Sequence, residues 1–286
     1  MSQFQDNIGQ YAIVDGSILE SANLKETAPD QEATLVYEVI RLIDGVPLFF
    51  EEHYARMLAS VQEVLGSAYG GDSQSPGRIE ESALLDQIQS LAKANGLTHC
   101  NVKFIDEIVH GHQSIMGYIS KSYYPSLEEY QTGVPTGLLY LERENPNLKI
   151  LVQAYKDKVN RLKAEQGYYE VLLVDRQDYL TEGSASNLFF VIDQKIWTAP
   201  GHTVLKGITR SHVIEACQNA GFEVVEELVS VKDLDQIQGL FLSGTSPKVL
   251  PISSIDGKAY PSAQLPAIQA IREEYDRILA NYIQSH

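Results

Sequence analysis

Apolar positions along the chain recur with two periods, and each period marks an element. Tyr11 to Leu19 reads as a hairpin, with Asp15-Gly16 as the tight turn between apolar flanks. Leu35 to Ile43 is rich in Val, Ile and Tyr and predicts a strand; Asp44-Gly45 then turns the chain into a second strand at Val46 to Phe50. Met57, Leu58, Val61 and Leu65 recur at helical spacing, as do Ile79, Leu84, Ile88 and Leu91 before a stop near Gly96. Gly66 to Gly77, rich in Gly and Ser, is expected to be a loop between the two helices. Val102 to Ile108 and Ser114 to Ser120 predict paired strands.

Tyr130 to Pro146 holds Gly133, Pro135, Gly137 and Pro146, and reads as a connection between domains. Beyond it, Tyr155, Val159 and Leu162 stripe a helix, and Glu170 to Asp175, Asn187 to Asp193 and Lys195 to Thr198 read as strands. Val213, Ile214 and Cys217 form the inner stripe of a further helix, and Leu265, Ile268, Ile271, Tyr275, Ile278 and Tyr282 stripe a last one. Strands interleaved with helices in two halves predict an α/β or α+β protein. The expected divisions are an N-terminal α/β domain over 1–132, a connection over 133–146 and a C-terminal domain over 147–286.

Composition narrows the function classes. With 286 residues, 44% apolar and 21% charged, the chain reads as an ordinary globular protein able to bury a core. A formal charge of −16 excludes a nucleic-acid footprint, which needs a basic face. Two cysteines in unrelated contexts, Cys100 and Cys217, supply neither a disulfide framework nor a thiolate metal site. No apolar run reaches a membrane span, and the opening Met-Ser-Gln-Phe-Gln-Asp lacks the basic and apolar regions of a signal peptide, so a cytoplasmic protein without a membrane role is expected.

The chemistry concentrates between residues 181 and 210. Thr181-Glu182-Gly183-Ser184-Ala185-Ser186-Asn187 sets an acid beside a glycine and hydroxyls just before an apolar strand. Gly207-Ile208-Thr209-Arg210 opens a helix, where backbone N–H groups and the positive end of the dipole can hold a phosphate. An acid together with a phosphate cradle suggests a phosphorylated cofactor with a basic ring nitrogen. Pyridoxal 5'-phosphate (PLP) fits, and it also requires a lysine.

The order and wording of these motifs resemble the fold-type IV PLP enzymes, which include the branched-chain and D-amino-acid aminotransferases and aminodeoxychorismate lyase. The resemblance runs from about residue 10 to about residue 260. It implies a small N-terminal α/β domain and a larger, β-barrel-like C-terminal domain with helices. It places Glu182 beside the ring nitrogen, Leu205 on one face of the ring, and Ile208 and Thr209 on the phosphate. Ser243-Gly244-Thr245-Ser246 resembles the family's late phosphate loop, with Thr245 on the phosphate and Ser246 facing the substrate carboxylate. Phe49-Phe50-Glu51-Glu52-His53-Tyr54-Ala55-Arg56-Met57 resembles the apolar pair and His-x-x-Arg that supply a second phosphate ligand, here Arg56, with His53 orienting the helix start. Four lysines are candidates: Lys149, Lys156, Lys158 and Lys163. Counting back from Gly167 to Glu170 and from Glu182, as the family spacing directs, selects Lys149 as the residue that holds the cofactor and moves the substrate proton. The tyrosine that the family often places five residues later is Ala154 here, with Tyr155 next, so no residue is assigned to the ring hydroxyl.

Val36-Tyr37-Glu38-Val39 resembles the D-amino-acid branch and would aim Tyr37 at the substrate carboxylate. That branch also carries an arginine and histidine trap. Lys103-Phe104-Ile105-Asp106-Glu107-Ile108-Val109-His110-Gly111-His112 stands there without an arginine, leaving Lys103, His110 or His112 as substitutes, or a plain polar loop. His110 and His112 have no third ligand for a metal, and none is expected. The implied activity is transfer of an amino group between a small amino acid and a 2-oxo acid by a homodimer, with residues near His110 serving the partner's site. The rivals are β-elimination by an aminodeoxychorismate lyase and a PLP-binding protein without turnover.

Overall fold

The computed structural model describes residues 6–24, 33–69 and 79–286. The chain divides into two compact units: Met1–Tyr123 with Leu148–Leu151 and Tyr282–His286, and Tyr124–Asn147 with Val152–Asn281.

In the first unit the described elements are β1 (Asn7–Val14), β2 (Ser17–Glu20), β3 (Thr34–Ile43), β4 (Val46–Pro47), α1 (Phe50–Tyr69), α2 (Glu81–Ala94), β5 (Cys100–Val109) and β6 (His112–Ser120). The strands form one antiparallel sheet in the order β2-β1-β6-β5-β3-β4. Turns at Asp15-Gly16, Asp44-Gly45 and His110-Gly111 all have positive φ at both residues, the backbone a two-residue hairpin needs. Alternation sends Val36, Ile40, Leu42, Val102, Phe104, Ile108 and Ile119 into a core with the apolar stripes of α1 and α2. The expected strand at 46–50 is only two residues long. Phe49 takes φ +51 and the helix starts at Phe50, with Glu51 and Glu52 facing its positive end. α1 also runs through Tyr69, into the segment expected as a loop, whose remainder lies outside the described residues.

The second unit holds α3 (Leu127–Thr132), β7 (Val134–Tyr140), α4 (Gln153–Gln166), β8 (Glu170–Val174), β9 (Tyr179–Gly183), β10 (Asn187–Ile192), β11 (Lys195–Thr198), α5 (Ile208–Asn219), β12 (Val224–Glu226), β13 (Val229–Ser230), β14 (Gly239–Gly244), β15 (Lys248–Ile255), β16 (Lys258–Ala259) and all but the last turn of α6 (Pro266–Ser285). Its mixed sheet runs β12-β11-β10-β14-β15-β7-β8-β9-β13, with β16 on β15. The expected connection at 133–146 therefore contains a central strand. β7 pairs in parallel with both β8 and β15, and Val134, Thr136 and Leu139 are buried. Gly137 serves close approach rather than flexibility: a Cβ there would lie 2.1 Å from the Tyr168 ring. The passage from the first unit to the second falls instead at 123/124.

This sheet curls on itself. β9 and β10 are five places apart in it, about 24 Å if it were flat. Residues 184–186 alone join them, so Gly183 and Asn187 lie within about 14 Å. The Gly183 N–H donates to the Ser186 carbonyl at 2.8 Å and closes the turn. Closure brings the end of β9, with Glu182, beside the start of β10, with Asn187.

Candidate active site

In the second unit Glu182 is 3% exposed and both carboxylate oxygens are held. Oε1 accepts from Arg143 Nη1 at 3.0 Å; Oε2 accepts from the Leu205 N–H at 3.1 Å and from Asn187 Nδ2 at 3.4 Å. The turn after Glu182 is anchored by Glu170, a buried carboxylate on β8. It accepts from the Ser184 hydroxyl, from the Ala185 N–H at 3.2 Å and from the Ser186 hydroxyl at 3.2 Å, with Lys163 Nζ 3.7 Å away. α5 begins at Ile208 after an extended Gly207 that has no side chain to cap the first turn, and Ile208 and Thr209 are buried there. The neighbouring Arg210 is committed elsewhere, donating to the Ala199 carbonyl and to Glu226, both at 2.8 Å. Thr245 and Ser246 form the turn between β14 and β15. Just before it, Ser243 sits opposite Asn187 in the antiparallel register, and directly opposed residues share a face. Among the described residues the buried Ser243 hydroxyl has no hydrogen-bond partner.

In the first unit Leu148–Leu151 runs along β3. The Tyr37 N–H donates to the Lys149 carbonyl at 3.0 Å, the Leu151 N–H donates to the Leu35 carbonyl at 2.9 Å, and Val36 bridges Ile150. That backbone pairing sets Lys149 Nζ 4.8 Å from the centre of the Tyr37 ring. Lys149 was expected in the C-terminal domain; its contacts group it with the first unit. On the opposite face of β3, Glu38 is buried at the centre of a hydrogen-bonded triad. Arg56 Nε and Nη2 donate to its two oxygens at 2.7 Å each, and His53 Nδ1 lies 2.7 Å from Oε2. Burial pushes the Glu38 carboxyl up, but Arg56 and His53 outweigh it and hold the group well below the usual carboxylate range. Burial also pushes His53 down, against the pull of Glu38. Arg56 keeps its proton even more firmly than usual: Glu38 overcomes the cost of burial.

The substrate-side candidates are dispersed. Lys103 is buried on β5, 3.1 Å from Asp6 Oδ2 and 5.5 Å from the centre of the Tyr37 ring. His110 and His112 are exposed at the tip of the β5–β6 hairpin. Tyr37 pairs with Ile105, so His110 stands about 17 Å further along the strand. Of the rival lysines, Lys158 is exposed on α4 and Lys163 pairs with Glu170. Tyr155 Oη donates to the Ser184 carbonyl at 3.0 Å, which ties the first turn of α4 to the turn after Glu182. Arg143, Asn187, Glu170 and Glu38 escaped sequence reasoning as partners, because their contacts join residues as much as 39 positions apart.

The profile of the class IV amino-transferases matches residues 35–255. The chain belongs to that family. It is a PLP-dependent transaminase with the two-domain fold of type IV. The D-alanine aminotransferase of Bacillus licheniformis is 27% identical over 244 residues, covering 79% of this chain and 81% of its own. A probable branched-chain-amino-acid aminotransferase of Rickettsia felis is 34% identical over 115 residues, 40% of each chain. Among solved structures, the branched-chain amino acid aminotransferase of Thermobaculum terrenum in its PLP form superposes with a TM-score of 0.78 at 21% identity, covering 97% of this chain and 96% of that one. The Escherichia coli branched-chain enzyme also gives 0.78 at 21%, covering 93% of both.

The second unit of this transaminase suits a phosphorylated pyridine. An orphaned buried hydroxyl at Ser243, a helix start without a side-chain cap and a buried carboxylate all lie on elements joined by the closed sheet. No group of three or more His, Cys, Asp or Glu side chains suited to a metal occurs among the described residues, and no described helix is long and apolar enough to cross a membrane.

Proposed function

We propose that the chain is a homodimeric, cytoplasmic transaminase that takes the amino group of a small D-amino acid and delivers it to a 2-oxo acid. The carrying observation for the cofactor site is the convergence of Glu182, Asn187 and Leu205 on one set of hydrogen bonds, with Gly207 at the α5 start packed against the same Asn187 amide. Support for the donor comes from the Val36-Tyr37-Glu38-Val39 strand and from a D-alanine aminotransferase alignable over most of the chain. When bound, PLP supplies an electron sink that stabilises negative charge at the substrate α-carbon.

The chain's residues then have distinct tasks. Lys149 Nζ anchors the cofactor and carries the substrate α-proton between its two positions. Glu182, fixed by Arg143 and the Leu205 N–H, accepts from the ring nitrogen, and the Leu205 side chain packs on the ring face. The N–H groups of Ile208 and Thr209 and the Thr245 hydroxyl hold phosphate oxygens, and Arg56, oriented by Glu38, adds a guanidinium donor. Tyr37 and Ser246 orient the substrate carboxylate. His110 and His112 project from a hairpin far from their own Tyr37 and are assigned to the partner's site.

The test is an absorption spectrum of wild type beside Lys149→Ala, after incubation with PLP and then with D-alanine, L-leucine and L-glutamate in turn. A visible band absent from the variant and bleached first by D-alanine is expected. Bleaching by L-leucine alone would move the assignment to branched-chain substrates, and no PLP uptake by wild type would sink the reading.

A further inference from the structure

We infer that Asn187 is a positioning residue of the cofactor site: its one amide sets the spacing of Glu182, Leu205 and the start of α5. The inference rests on the reading of those three as cofactor contacts. Asn187 is 6% exposed and opens β10 immediately after the turn that closes the sheet. Its Nδ2 donates to the Leu205 carbonyl at 2.9 Å and lies 3.4 Å from Glu182 Oε2. Its Oδ1 faces Gly207, where an added Cβ would meet it at 2.1 Å. Its backbone is in register with Ser243, two residues before Thr245.

Few side chains could replace it. Nδ2 has to donate twice while Oδ1 fits against a backbone without a side chain, and the amide is short enough to keep Leu205 and Gly207 close to β10. An aspartate would lose both donors and set a second negative charge beside Glu182. The Glu182 carboxylate is otherwise held on Oε1 by Arg143, which reaches it from the segment after β7, and on Oε2 by the Leu205 N–H. Asn187 thus links the acid for the ring nitrogen, the residue against the ring face and the helix start for the phosphate. Removing it leaves the Leu205 carbonyl without its donor and lets the 205–207 segment move relative to Glu182. A lost buried hydrogen bond of this kind corresponds to about tenfold in a binding constant.

The experiment titrates apo-protein with PLP and records the dissociation constant, the pH midpoint of the bound cofactor's absorption band and the apo melting temperature. The proteins are wild type, Asn187→Ala, Gly207→Ala, the double variant and Glu182→Gln. Asn187→Ala should weaken PLP binding about tenfold or more and shift the pH midpoint, which a change in bulk stability alone does not move. Gly207→Ala should do the same from the other side by displacing the amide. The double variant should bind no more weakly than the weaker single, since the displaced group is gone. Binding within twofold of wild type in either single variant, or losses that multiply in the double, would overturn the inference. If Asn187→Ala does not fold, Gly207→Ala decides. Glu182→Gln separates the two levels. Wild-type behaviour there brings down the reading of Glu182, whereas a loss there beside an unaffected Asn187→Ala brings down only the positioning role.

Discussion

Two buried carboxyls in the first unit respond to pH in opposite directions. Glu38 is ionised against Arg56 and His53, and its folded pKa lies below the unfolded value. Its contribution is therefore complete above the unfolded carboxylate pKa and is lost only as pH falls through the folded one. Glu38→Gln leaves the Arg56 guanidinium without its counter-charge, and chemical denaturation at pH 7 should show a loss of about 3–5 kcal/mol. Asp106 is the reverse case. Burial raises its pKa to about 6 from 3.8, Gln113 opposes the shift and Asp15 adds to it. Gln113 Nε2 donates to Asp106 Oδ2 at 2.8 Å, while Asp106 Oδ1 and Gln113 Oε1 are both buried without partners. A proton on Asp106 removes the buried charge. Its stabilisation is complete below the unfolded pKa and disappears as pH rises through about 6. Asp106→Asn should therefore stabilise the protein at pH 7.5, by an amount on the order of 3 kcal/mol, and show no advantage near pH 4. Melting temperatures across pH 4–8 check this. An advantage that persists at pH 4 would remove ionisation as its cause.

At the scale of elements, the β9–β10 turn depends on a carboxylate from a third strand. Glu170→Ala strands the Ser184 and Ser186 hydroxyls and the Ala185 N–H; Ser186 is buried, and a buried donor left unmade costs about 1–3 kcal/mol. The Ala185 amide should exchange with solvent faster in that variant, with amides of α2 unchanged as the internal reference. Helices were the most legible elements, because their stripes are long: α1, α2, α4 and α6 each lie where the spacing put them. β7 and β9 were hidden. Pro135 and Gly137 imitate a linker in β7, and its parallel neighbours are remote in sequence, so nothing local reveals its centrality. β9 carries Thr181, Glu182 and Gly183, whose polarity suits a closed site and not a strand. Motif order pointed to the candidate cofactor residues for the same reason that it hid their neighbours. Glu182 and Thr209 sit in recognisable strings, whereas Arg143 is a lone arginine in a segment of turns until the fold sets it 3.0 Å from Glu182.

At the scale of the whole molecule, a net charge of −16 surrounds a reaction whose acceptor is an anion. Such a field opposes approach of a 2-oxo acid, and salt screens it: the Debye length falls from about 30 Å at 0.01 M to about 8 Å at 0.15 M. Raising ionic strength over that range should lower KM for the acceptor while kcat holds, as steady-state kinetics would show; an unchanged KM would mean that local cations govern encounter. The closing of the second unit's sheet has a kinetic meaning as well. Residues 183 and 187 are neighbours in sequence, but the strands that lie between them in the sheet include β7 and β15, whose pairing joins Val134 to Ile252. Such non-local pairing carries a large loop-closure entropy and is intrinsically slow to form. The sheet that encloses the acid and its amide is complete only after Val134 has found Ile252, so competence to capture cofactor is a late property of a newly made molecule.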